Sequence, residues 1–130
     1  MECQLYRLKE IKKHKDKPLR NTAGIYALVH DNKVIYVGQS VSMRDRLLKH
    51  SHADKRLEEL FKTKTHTNTK KYLIQKERYE FIKENIEDIL YLFVPCEKDK
   101  LDELEKYYIT KHQPKYNYVG VYCNYIIKEK

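Results

Sequence analysis

Two tyrosines, Tyr26 and Tyr36, stand ten positions apart, each inside a short apolar run. Further along come Arg46 and His50, four apart, then Glu105 and Asn117. Phenols and imidazoles move protons, a guanidinium neutralises an anion, and a carboxylate holds a hard cation. Whether these groups do so depends on the elements that carry them.

The helix expected over 98–112 holds the clearest anomaly. At about 100° per residue, Leu101, Leu104, Tyr108 and Ile109 make one apolar stripe, and Glu105 falls inside it while Asp102 and Glu103 point elsewhere. A carboxylate facing a core is costly unless it is paired or binds a metal. A salt bridge to a neighbouring Lys or Arg and a metal both satisfy that demand.

A second helix begins after Ser42, a candidate N-cap with Asp45 three residues on. Met43, Leu47 and Leu48 face inward there, with Arg46 and His50 on one flank. Alone, that pair reads as surface cations whose stems lie on apolar neighbours.

The tyrosines lie on two strands, about 24–30 and 33–38, joined by the turn-forming "DNK". A three-residue loop, 31–33, pairs Leu28 with Tyr36 and Tyr26 with Gly38, which puts both phenols on one face. A two-residue loop puts them on opposite faces. Hairpin tyrosines on their own are ordinary packing residues. Both strands are apolar on either side, so at least one is covered twice.

The remaining pattern predicts an amphipathic helix over 4–15 through Leu5, Leu8 and Ile11, ending before Pro18. It also predicts helices over 54–63 and 69–85, a polar loop "KTKTHTNTKK", and a third strand in "DILYLFVP". The tail "YNYVGVYCNYII" reads as an edge strand.

The 130 residues suit one small α+β domain. Lys and Arg number 27 against 19 Asp and Glu, a formal charge of +8, which favours polyanionic partners. No apolar run is long enough to cross a bilayer and no signal-peptide core opens the chain, so a soluble cytoplasmic protein without membrane association is expected. Cys3, Cys96 and Cys123 lack the spacing of a zinc ribbon or a disulfide framework.

With "GIY" at Gly24–Tyr26 and "YVG" at Tyr36–Gly38, the chain resembles the GIY-YIG nuclease superfamily. That superfamily includes homing endonucleases, some restriction enzymes and the incising subunit of bacterial nucleotide-excision repair. Its pattern places an Arg eight residues past the second Gly, here Arg46, and in some members a His one turn later, here His50. A Glu on a later helix and an Asn about a dozen residues on correspond to Glu105 and Asn117. The match covers roughly 23–118. It departs at Gln39, where some members carry Lys, and at a basic helical insertion over about 51–86. Residues 1–22 then form an N-terminal helix and loop, and 23–130 the nuclease-like domain.

The resemblance implies an α+β fold with a small, mainly antiparallel three-stranded sheet flanked by helices. It implies a metal-dependent endonuclease hydrolysing phosphodiester bonds in DNA. Glu105 would hold one Mg²⁺, with Mn²⁺ as substitute, because the matched positions offer only one carboxylate. Arg46 would neutralise phosphate, Tyr26 would be the base with Tyr36 competing, His50 would share the proton, and Asn117 would orient the site or stabilise its own turn. Lys62, Lys64, His66, Lys70 and Lys71, the densest cationic stretch, are candidates for gripping nucleic-acid backbone. A cleavage-incompetent nucleic-acid-binding module and a structure-specific RNase are the alternatives on the same fold. Double-strand cutting by so small a site would need a dimer or sequential action.

Overall fold

The computed structural model describes residues 5–13, 22–62 and 70–117. The elements are β1 (Tyr6–Arg7), a 3-10 helix (Leu8–Lys13), β2 (Gly24–His30), β3 (Lys33–Ser40), α1 (Met43–Ser51), α2 (Ala53–Lys62), α3 (Lys70–Glu84), β4 (Leu90–Pro95), a 3-10 turn (Lys98–Lys100) and α4 (Leu101–His112). The sheet is antiparallel, in the order β1-β4-β2-β3. It therefore has four strands where three were expected.

The extra strand replaces part of the N-terminal helix. Tyr6 and Arg7 pair with Tyr91 and Leu90 at the β4 edge. Leu8 and Ile11 follow, both fully buried, in a 3-10 helix. Three-residue spacing serves a 3-10 turn as well as an α-helix, so the sequence pattern could not separate the two. The cost of leaving the β4 edge bare decides it.

Strand β2 is central and buried on both faces from Gly24 to Val29. On one face Tyr26, Leu28, Ile35 and Tyr91 pack with Leu8, Ile11, Met43, Leu47 and Ile82 from the N-terminal segment, α1 and α3. On the other, Ile25, Ala27 and Val37 pack against Leu101 and Ile109 of α4. Fully burying one such aliphatic side chain contributes about 1.5–3 kcal/mol.

The hairpin reaches the expected register by a different route. Its loop has two residues, Asp31 and Asn32, with φ of 52° and 62°, and His30 pairs with Lys33. That left-handed pair is the tight turn Asp and Asn tolerate. A bulge then leaves Ile35 unmatched, so Leu28 meets Tyr36 and Tyr26 meets Gly38. Ser42 does not cap the α1 backbone; its Oγ donates to Asp45 Oδ2 at 3.0 Å. The edge strand expected in the tail lies outside the described residues, apart from Tyr116 and Asn117. No helix among the described residues is long and apolar enough to cross a membrane.

Candidate active site

The segment Tyr36-Val37-Gly38-Gln39 of β3 supports every candidate that the structure brings together. Side chains alternate along a strand. Tyr36 and Gly38 therefore belong to the face covered by α1 and α3, and Val37 and Gln39 to the face covered by α4.

On the first face, Tyr26 lies across from Gly38, and its phenol rests over the glycine. A Cβ at position 38 would land on the Tyr26 hydroxyl and ring. The hydroxyl is 2.7 Å from His50 Nε2. The Tyr36 ring centroid is 6.0 Å from that of Tyr26 and 5.3 Å from that of His50. From α3, the Arg78 guanidinium sits 4.3 Å over the Tyr36 ring and 4.9 Å from the Tyr79 ring centroid.

Burial sets the proton affinities here. Tyr26 is 1% exposed. Desolvation, then the neighbouring Tyr36, pushes its pKa well above the usual phenol value, while Arg46 and Arg78 pull against this. This runs against the expectation that Tyr26 takes the proton from water, since a sealed phenol with a raised pKa neither meets solvent nor ionises readily. His50 is held well below its usual value, first by burial and then by Arg78, Arg46 and Arg56. Its neutral Nε2 can accept from the Tyr26 hydroxyl, while Nδ1 is sealed without a partner.

A histidine buried neutral has a defined cost in acid. Below about pH 6.5 the unfolded chain binds a proton that the folded chain refuses, so stability falls with pH. Urea melts between about pH 7 and pH 5 should show a component from His50 approaching about 1.4 kcal/mol per pH unit. His50→Gln should remove that component.

Asn117 completes the open edge of β3. Val37 N donates to Asn117 Oδ1 at 2.8 Å, and Asn117 Nδ2 donates to Val37 O at 2.7 Å. The side-chain amide thus takes the place of a neighbouring strand's peptide. Tyr116 N donates to Ile35 O beside it. Asn117→Ala would strand two backbone groups, and each buried orphan costs about 1–3 kcal/mol. A loss of about 2–6 kcal/mol in urea unfolding is expected.

Gln39 Nε2 donates to Asp102 Oδ1 at 2.7 Å and to Glu105 Oε1 at 3.2 Å, linking β3 to the first turns of α4. Glu105 is partly buried, as its place in the stripe requires, and meets a neutral amide here.

The structure thus gathers Tyr26, Tyr36 and His50 into direct contact, brings Asn117 to the edge of the same strand, and brings Glu105 to Gln39 on its other face. Arg46 is exposed on α1, near enough for its charge to act on Tyr26 and His50. His50, read alone as a surface cation, is instead buried. Lys62 is exposed at the end of α2, and Lys70 and Lys71 open α3. Lys64 and His66 lie outside the described residues. Sequence reasoning missed Arg78 and the Gln39–Asp102 link. The available signal for Arg78 was its position one turn before the fully buried Ile82.

The donor chemistry near Glu105 fits a hard divalent cation. Asp102 and Glu105 offer carboxylate oxygens one turn apart, joined by one amide. Among the described residues no three His, Cys, Asp or Glu side chains cluster as a ready-made cage. An ion held by one or two carboxylates with several retained waters is the habit of Mg²⁺.

Residues 22–117 match the family model described as the GIY-YIG catalytic domain. Among solved structures, the chain is similar to the GIY-YIG N-terminal endonuclease domain of UvrC from Thermotoga maritima bound to its catalytic divalent cation, magnesium. The identity is 19%, covering 84% of this chain and 97% of that one, with a TM-score of 0.48. Two point mutants of that domain, each bound to its catalytic divalent cation, align at 18% and 20% identity over 84% of this chain. They are covered to 97% and 96%, with TM-scores of 0.49 and 0.48. No curated protein matches.

Proposed function

Because the chain belongs to the GIY-YIG catalytic-domain family, we propose that it is an endonuclease that hydrolyses phosphodiester bonds in DNA with one divalent cation. The observation that carries this reading is the shared support of β3. Two phenols, an imidazole, a carboxylate and an oriented asparagine all bear on residues 36–39.

Three tasks must be met: a water proton is removed, phosphate charge is neutralised, and the leaving oxygen is stabilised. Tyr36 takes the first. It is the less buried phenol, and the hydrogen-bonded Tyr26–His50 pair packs behind it to fix its ring. Arg46, exposed and permanently charged, offers a planar donor fork to a phosphate oxygen. Glu105 holds the cation, with Gln39 and Asp102 fixing its rotamer. Bound there, Mg²⁺ would polarise a phosphate oxygen and support charge on the leaving group. Asn117 keeps the Val37 backbone in place and so fixes its neighbours Tyr36 and Gly38. Lys62, Lys64, His66, Lys70 and Lys71 supply backbone contacts whose strength falls steeply with salt.

The test is nicking of supercoiled plasmid by the purified chain with Mg²⁺ or Mn²⁺, beside the same reaction in chelator and beside structured RNA. Nicking of DNA that stops in chelator is the expected result. Binding of duplex without cleavage under every cation would replace the enzyme with a binding module, and preferential cutting of RNA would change the substrate.

A further inference from the structure

Arg78 has no assigned task in the scheme above, and it lies in the basic insertion where the chain departs from the family's pattern. It is 6% exposed. Its guanidinium makes no hydrogen bond or ion pair with a described residue. Of its three nitrogens only Nε is sealed, so the two terminal nitrogens are the ones that open to the surface. The group rests on aromatic rings instead, 4.3 Å over Tyr36 and 4.9 Å from the Tyr79 centroid. Ring quadrupoles attract a cation, but they do not cancel its charge. A buried guanidinium left without an anion is costly.

The surroundings add positive charge rather than removing it. Three helices each send a guanidinium toward the buried His50: Arg46 from α1, Arg56 from α2 and Arg78 from α3. Glu59 pairs with Arg56 at 2.8 Å. On α3 itself, Glu80 lies 3.9 Å from Lys76. Arg46 and Arg78 have no ion pair among the described residues, and both charges bear on Tyr26 as well as on His50. Two uncompensated guanidiniums beside the half-buried Tyr36 are a receptor for an anion. A phosphate group suits them, since its oxygens accept from the planar fork of an arginine two at a time.

We propose that Arg78 is a phosphate ligand of this site, its terminal nitrogens donating to oxygens of the same phosphate that Arg46 meets, while the Tyr36 and Tyr79 rings hold its guanidinium in place. That the phosphate belongs to a nucleic-acid backbone rests on the nuclease reading. In that use the neutralisation of phosphate charge is divided between α1 and the inserted α3. A scissile phosphate then lies against Tyr36 because the group that grips it is stacked on that ring.

The first experiment follows the arginine Nε–H resonances of the metal-free full chain during titration with inorganic phosphate, against chloride at matched ionic strength. The Arg78 signal, protected from exchange by its sealed Nε, is assigned by its absence from Arg78→Lys. It should shift saturably with phosphate and stay still with chloride. The second measures duplex affinity in chelator over a range of salt. Arg78→Met, which keeps the apolar stem, should bind about tenfold more weakly. Its plot of log affinity against log salt should be shallower by about 0.9, the loss of one phosphate contact. Arg78→Lys keeps the charge without the fork, so it should retain the wild-type slope with a smaller loss of affinity.

An Arg78 resonance unmoved by phosphate overturns the proposal without recourse to the behaviour of any variant. So does a wild type that binds duplex with an Arg78→Met affinity and salt slope equal to its own, and in that case the nuclease reading stands. A resonance that moves with phosphate in a chain that neither binds nor nicks DNA leaves the phosphate site standing and removes the nuclease reading.

Discussion

Glu105→Gln should lower plasmid nicking by about 10³-fold or more while duplex binding in chelator stays within about twofold. The substitution keeps the side chain's length and leaves an amide oxygen that can still accept from Gln39 Nε2. What it removes is the negative charge, and with it the attraction for a divalent cation. The packing of α4 rests on Leu101 and Ile109 and should be unaffected. The measurement is a nicking time course at saturating Mg²⁺, with urea unfolding of both proteins as the control. A variant as stable and as fast as the wild type would move the cation away from α4 and take the proposed mechanism with it. Excess Mg²⁺ should not rescue the loss, since the deficit is in placing the ion against the phosphate and not only in its occupancy.

Gly38→Ala should be almost as damaging for a different reason. The added methyl would collide with the far end of the Tyr26 phenol, and Tyr26 is packed among Leu28, Met43 and Leu47 with nowhere to swing. Overpacking of this kind costs about 1–3 kcal/mol. The displacement would also break the Tyr26–His50 contact and tilt Tyr36, so nicking should fall about 100-fold or more, beyond what lost stability explains. Tyr26→Phe in the Gly38→Ala background tests the cause. Removing the hydroxyl that the methyl strikes should return part of the lost stability. The ring carbons Cζ and Cε1 that phenylalanine keeps still overlap the methyl, so the recovery should be partial; a Gly38→Ala crystal structure with the Tyr26 ring unmoved would show that the clash is not the source of the damage.

Much of this site was legible in the sequence because local rules coincide with the global fold there. The inward Glu105 followed from the spacing of Leu101 and Ile109, and α4 keeps that stripe against the sheet. The shared face of Tyr26 and Tyr36 was also legible, although the reason offered for it, a three-residue loop, was not the one used. Turn chemistry favoured two residues at Asp31 and Asn32, and a bulge restored the pairing. A bulge leaves no compositional mark, since Ile35 suits a regular strand equally well. The N-terminal strand was lost for a related reason. Two residues that pair with a distant edge carry no period of their own, and the apolar pair after them fits two kinds of helix. Arg78 was hidden by α3, whose polar and apolar residues are poorly segregated around the helix. Its burial arises from tertiary contacts with Tyr36, more than forty residues earlier, which no local window contains.

The clasp between Asn117 and Val37 has a consequence for how the molecule comes together. Neighbouring residues of β2 and β3 can find one another early, because the hairpin is local. The Val37 amide cannot be closed in that way, since its acceptor arrives only after the chain has run through α4 and turned back at Pro114. Its hydrogen exchange therefore reports the seating of α4 from a position in the middle of the hairpin. A conformer in which α4 swings away would bleach that one proton from the spectrum while leaving Val37's strand otherwise intact.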